Sequence, residues 1–196
     1  MDLPEIKTSI KQPDEHFSIN GHSLDFKLID FWVWNQSDLI ENRNRGILAE
    51  FIVQKALGIS SSSRLEWDSF DLKTDEGIKI EVKSAAYIQA WKQNKYSSIS
   101  FGIKPTCMLL ENNNFSQVKT RQADIYIFCL LEHKEQATID PMKLDQWIFY
   151  ILTTKTLNEK FPNQNSISIS TIETINHYKC KYEELKECFD KIKNSA

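Results

Sequence analysis

EWDSFDLKTDEGIKIEVKSAAYIQAW, residues Glu66 to Trp91, reads as a β-hairpin followed by a helix. Before the turn, Phe70 and Leu72 alternate with Ser69, Asp71 and Lys73; after it, Ile78, Ile80 and Val82 alternate with Lys79, Glu81 and Lys83. A period of two is the mark of a half-buried strand. Asp75-Glu76-Gly77 suits a three-residue loop with Gly77 in the left-handed conformation. Position 74 then pairs with 78, and Asp71 falls opposite Glu81, with Lys83 two residues along on the same face. Asp68 is the reserve for the first acidic position, since its side chain alternates onto the other face unless the strand bulges before Asp71.

Like charges directly opposite destabilise a sheet, and a divalent cation between Asp71 and Glu81 removes that conflict. Carboxylate oxygens are ligands that Mg²⁺ prefers, and an adjacent ammonium can hold a phosphate oxygen or the attacking water. The group therefore reads as a site for metal-assisted phosphodiester hydrolysis. The same residues also suit a solvated strand face on which Lys79, Glu81 and Lys83 pair across the hairpin. Agreement of position with context favours the site.

At these residues the chain resembles the PD-(D/E)XK phosphodiesterases, the restriction-endonuclease-like superfamily. Asp71 matches the first acidic position and Glu81-Val82-Lys83 the E-x-K. The resemblance covers about Arg45 to Ile103 and implies an acidic residue on the preceding helix, here Glu50, and a glutamine on a helix after E-x-K, here Gln89. It implies Asp71, Glu81 and Glu50 as ligands of Mg²⁺, with Mn²⁺ as a substitute. Lys83 would then stabilise developing charge, and Gln89 would support water or substrate. The implied fold is α/β, a restriction-endonuclease-like mixed central sheet flanked by helices.

With 196 residues, 41% hydrophobic and 26% charged, the chain suits one compact domain over 1–196 rather than a disordered polymer. The net charge of −3 sets it apart from bulk polycations that coat nucleic acid, while leaving room for a local basic groove. Cys107, Cys129, Cys180 and Cys188 show no zinc-ligand spacing and read as reduced thiols. No apolar run has membrane-spanning length and no signal sequence opens the chain, so the expectation is a cytoplasmic protein without membrane contact.

Residues 1–16 are expected to form a flexible arm, and Phe17 to Leu28 a small hairpin around Asn20-Gly21. Asp30 to Trp34 fits strand or helix, and Trp32 and Trp34 are assigned to packing. Asp38 with Glu41 has the capping-box spacing for a helix that continues or restarts around Asn44 and ends at Gly58. Its apolar residues cover nearly the whole circumference, which predicts a buried helix. Only Glu50 and Gln54 make a narrow polar strip there. A lone buried carboxylate needs a partner: Arg43 or Arg45 in a structural ion pair, or the metal site.

Ile99 to Ile103 alternates as a strand, and 111–117 reads as a polar loop. Ile125 to Leu131 is a strand buried on both faces, Gln146 to Leu152 is another, and 177–193 is an amphipathic closing helix that packs on its own domain or forms a dimer seam. The function expected is a Mg²⁺-dependent endonuclease acting on nucleic acid, DNA favoured over RNA, alone, as a homodimer or with a partner subunit. The competing expectation is a catalytically silent module of the same fold that binds nucleic acid or a partner protein.

Overall fold

The structure, a computed structural model, describes residues 6, 8–60, 64, 69–109, 115–175 and 177–193. Asp68, the loop residues 61–63 and 111–114 and several residues of the expected 1–16 arm lie outside them. The chain divides into two compact units, one reaching Asp38 and taking in Arg64, the other comprising Leu39–Ser60 and the chain from 69 onward.

In the first unit, β1 (His16–Ile19) and β2 (His22–Lys27) pair antiparallel and lead into α1 (Leu28–Gln36). Asn20 and Gly21 both have positive φ, 49° and 82°, the two-residue hairpin turn that the Asn-Gly pair announces. Phe17 and Phe26 stack across the ladder with centroids 4.8 Å apart. The ambiguous Asp30 to Trp34 segment is helical, because Lys27 N–H donates to Asp30 at 2.7 Å and starts the first turn. Trp34 is 82% exposed and no residue of α1 is buried, which corrects the packing role expected of that tryptophan. A helix apolar on every side leaves some apolar side chains outward whichever face turns in.

The second unit opens with α2 (Asn42–Leu57). Its cap is Glu41 rather than Asp38: the Glu41 carboxylate accepts from the N–H groups of Arg43 and Asn44 at 2.9 and 3.2 Å. Gly58 closes the helix in the left-handed conformation, φ 69°. Ala49, Ile52, Val53 and Leu57 are buried, but Phe51 is half exposed with the Lys55 ammonium over its ring. Burial is therefore confined to the face toward the sheet.

The remaining elements are β3 (Leu72–Lys73), β4 (Lys79–Ala86), β5 (Ser100–Gly102), β6 (Thr106–Leu109), β7 (Phe115–Thr120), β8 (Ile125–Leu131), β9 (Trp147–Thr153), α3 (Thr154–Lys160), β10 (Ser166–Ser168), α4 (Ile169–Ile172), β11 (Tyr178–Cys180) and α5 (Leu185–Lys193). Five strands form a mixed sheet in the order β11-β9-β8-β4-β3, with β4 and β8 parallel and the other pairs antiparallel. Every residue of β8 and β9 is buried, as unbroken apolar runs require at the centre of a sheet covered on both faces. On one face α2 and α5 pack against Ile80, Val82, Ile127 and Ile151. On the other, β5, β10, α3 and α4 pack against Phe128, Tyr150 and Leu152. The class is α/β, a central mixed sheet flanked by helices, as the sequence predicts. Among the described residues no helix is long and apolar enough to cross a membrane.

Three element expectations are corrected. Ser84 to Trp91 is not a helix: β4 runs on to Ala86 because Ser84, Ala85 and Ala86 pair with Cys129, Leu130 and Leu131, and bends follow. The closing helix occupies 185–193 rather than 177–193, since Tyr178 to Cys180 pair with β9 at the sheet edge. The polar segment ending at Gln117 enters a strand at Phe115, paired with β6.

Candidate active site

Alternation along β4 sorts its side chains. Ile80, Val82 and Ala86 enter the core beneath α2, which leaves Glu81 and Lys83 to the opposite face, where Ala85 joins the second core. Parallel pairing sets Glu81 beside Tyr126 and Lys83 beside Phe128. Those rings exclude water, so the Glu81 and Lys83 side chains keep 20% and 32% of their accessibility. The Lys83 ammonium donates to Glu81 Oε1.

Asp71 arrives from the hairpin in the expected register: Leu72 pairs with Ile80 and Lys73 with Lys79, and Gly77 takes φ 93° in the turn. The strand then slips. Asp71 N–H donates to Ile80 O at 3.0 Å, the residue already opposite Leu72, so two residues address one, as in a bulge. The Asp71 carboxylate lies along the edge of β4, where Oδ2 accepts from Val82 N–H at 2.7 Å. Without it that N–H would have no ladder partner among the described residues, since β3 begins only at Leu72.

The electrostatics converge on Glu81. Burial, above all, pushes its carboxyl up from the ordinary range; the negative charge of Asp71 adds to this, Lys83 offsets part of it by charge and hydrogen bond, and Glu50 raises it further. Asp71, Glu50 and Lys83 therefore all lie within electrostatic reach of Glu81. The Tyr126 phenol is also pushed up, first by burial and then by the charge of Glu81, with Arg121 opposing. Among the described residues, no three His, Cys, Asp or Glu side chains already stand as a ligand cluster; Asp71 is turned to Val82 N–H and Glu81 to Lys83.

Glu50 is 9% exposed on the sheet side of α2. Arg45, one of its expected ion-pair partners, is engaged elsewhere. Its Nε donates to Ser84 Oγ at 3.1 Å, Nη1 to Ile40 O and Gln89 Oε1 at 2.8 and 3.2 Å, and Nη2 to Asn42 Oδ1 at 2.6 Å. Gln89 sits in the bend after β4, buried, and its Nε2 donates to Ala86 O at 2.7 Å and Ser97 Oγ at 3.2 Å. The structure thus brings Asp71, Glu81, Lys83 and Glu50 into one electrostatic group, and Gln89 into a neighbouring one around Arg45. Tyr126 and Arg45 were not singled out as site residues from the sequence. Tyr126 hides in an apolar run, and only the parallel pairing of β4 with β8 sets it beside Glu81.

The family model for bacteriophage T4 endonuclease IV matches residues 27–171, a span that includes every candidate residue named above. No curated protein matches the chain.

Proposed function

Because this chain belongs to the bacteriophage T4 endonuclease IV family, we propose that it is a metal-dependent endonuclease of the PD-(D/E)XK kind, with DNA as its substrate. One observation carries the reading: a half-buried Glu81 made reluctant to ionise by its surroundings, with Asp71 and Glu50 adding negative charge and Lys83 on its carboxylate. Crowded carboxylates of this kind suit a hard divalent cation. Asp71 and Glu81 would hold Mg²⁺ or Mn²⁺ and Glu50 would assist, directly or through water. Bound there, the cation would supply Lewis acidity toward a phosphoryl oxygen.

The chain's own residues do the rest. Lys83 places its ammonium beside the reacting phosphate and stabilises the negative charge that develops there. Tyr126 and Phe128 keep water from that face of β4. Gln89 acts as a positioning residue, because its amide is bound to Arg45, Ala86 and Ser97. Its place in a bend departs from the superfamily pattern of a helix after E-x-K.

The test is cleavage of a mixed set of DNA and RNA substrates with Mg²⁺ or Mn²⁺, wild type against Lys83→Ala. Metal-dependent cleavage of DNA lost in the variant is the expected result. No cleavage of any nucleic acid by the wild type, together with loss of a protein complex in Lys83→Ala, would replace the enzyme with an interaction module.

A further inference from the structure

Beyond Lys83, around the end of β4, lies a second polar constellation, of which the proposed reaction uses only Gln89. An open cleft of about 320 Å³ is lined by Asn42, Arg45, Ser84, Gln89, Ser97 and Ser98, among others. Arg45 is 3% exposed. Four of the five guanidinium donors go to Ser84, Ile40, Gln89 and Asn42, all neutral acceptors. A buried cation is normally matched by an anion. Burial lowers the Arg45 pKa, and the nearby Glu41 carboxylate offsets part of this by charge while its hydrogen bonds cap α2.

A buried guanidinium with a donor to spare, ringed by hydroxyls and amides in a cleft that no carboxylate lines among the described residues, has the chemistry of a phosphate site. Its place matters as much. Ser84 follows Lys83 directly, and β3 pairs only with Lys79 and Ile80. Among the described residues, then, no strand covers the outer edge of β4 from Glu81 to Ala86. A backbone passing that edge meets Lys83 and, beyond it, the cleft.

We propose that Arg45, Asn42 and the cleft serines form a subsite for a non-scissile phosphate of the nucleic-acid strand whose reacting phosphate lies at Glu81 and Lys83. The location of the reacting phosphate rests on the nuclease reading; the anion chemistry of the cleft does not.

Asn42→Asp is the discriminating variant. Asn42 is exposed and already accepts from Arg45, so a carboxylate there pairs with the guanidinium, keeps the fold and fills the place of the phosphate. Asn94→Asp, exposed on the segment after β4, adds the same charge outside the cleft. Binding of single-stranded and duplex oligonucleotides is measured in chelator across a salt series, so that no cleavage occurs. Thermal stability is measured in parallel with inorganic phosphate.

The expected result is that Asn42→Asp weakens oligonucleotide binding about tenfold or more. Its salt slope falls by about 0.7 for single strands or about 0.9 for duplex, while Asn94→Asp stays near wild type. Phosphate raises the melting temperature of the wild type and not of Asn42→Asp. If both variants bind with equal affinity and slope, the cleft is structural and the inference is overturned, whereas cleavage by the wild type leaves the nuclease reading standing. If the wild type binds no oligonucleotide yet gains Asn42-dependent protection from phosphate, the cleft binds anions but not nucleic acid and the inference is overturned, while cleavage with metal decides the nuclease reading separately. Absence of both effects overturns the subsite.

Discussion

Lys83 and Ser84 are neighbours on β4, yet the polar groups they join are built on opposite terms. Around Lys83, acidic side chains crowd a carboxylate whose environment disfavours its charge. Around Ser84, a buried guanidinium is held by four hydrogen bonds, and Gln89 ties it to Ala86 and Ser97. The first arrangement costs folding stability and suits a ligand that brings positive charge. The second ties α2 to the end of β4 but buries a cation among neutral acceptors, which suits a ligand that brings negative charge. Both keep electrostatics that a ligand can relieve, but only the second also has hydrogen bonds that hold the fold together without one.

The contrast can be broken most strongly at Lys83. Lys83→Ala is expected to slow cleavage by about two to three orders of magnitude, the usual loss for one preorganised electrostatic donor. Metal binding, followed by calorimetry, and the melting temperature should persist. Asp71→Asn should differ in kind, weakening metal binding itself.

In the second group, Arg45→Met removes the donor that Ile40 O, Gln89, Asn42 and Ser84 share. Losing the buried guanidinium's packing and its hydrogen bonds to buried Gln89 and half-buried Ile40 and Ser84 puts the expected loss at about 3 kcal/mol. For a chain of this size that is roughly 6–12 °C in melting temperature, readable by calorimetry. A small loss would mean that the Arg45 network is not the tie between α2 and β4.

Glu50→Gln sharpens the comparison, because Glu50 sits on the same helix as Arg45 while its charge reaches Glu81. The expectation is metal affinity lowered by about 10–100-fold, as for residues that support ligands, with the melting temperature nearly unchanged. A loss of roughly 3–5 kcal/mol with unaltered metal binding would assign Glu50 to the scaffold.

The smallest effect has an unusual sign. Glu81→Gln should raise the melting temperature of the metal-free protein by about 2–4 °C per kcal/mol regained, while abolishing metal-dependent cleavage. The folded state raises the pKa of Glu81 above its ordinary 4.5, so between the two values it binds more protons than the unfolded chain. Stability is lost as pH rises through that interval. Wild type and variant should therefore agree in acid and separate as pH climbs from 4.5 toward the raised value, above which the gap stays constant. Wild-type metal affinity should tighten over the same interval, because binding displaces the proton. Melting curves with and without Mn²⁺ across that range check both.

How far these residues could be read without coordinates depended on the range of the interactions that place them. The Asn20-Gly21 turn, the Gly77 loop, the Gly58 stop and the apolar runs of β8 and β9 are local signals: backbone conformation and burial on both faces are written into consecutive residues. The 72–80 register followed from turn length, but not the direct opposition of Asp71 to Glu81, because the strand slips at Asp71, whose N–H addresses Ile80 O. Four parts needed the tertiary structure. Ser84 to Ala86 have small side chains compatible with helix, and only the backbone partners on β8 hold them as strand. Tyr178 and Tyr182 share a helical spacing with Leu185, yet pairing with β9 draws Tyr178 into the sheet. The turn of the Asp71 carboxylate to Val82 N–H depends on β3 beginning only at Leu72. The joining of Arg45 to Gln89 spans 44 residues. Contacts of that range are selected by packing and by the need to satisfy buried polar groups, and neither leaves a periodic mark in the sequence.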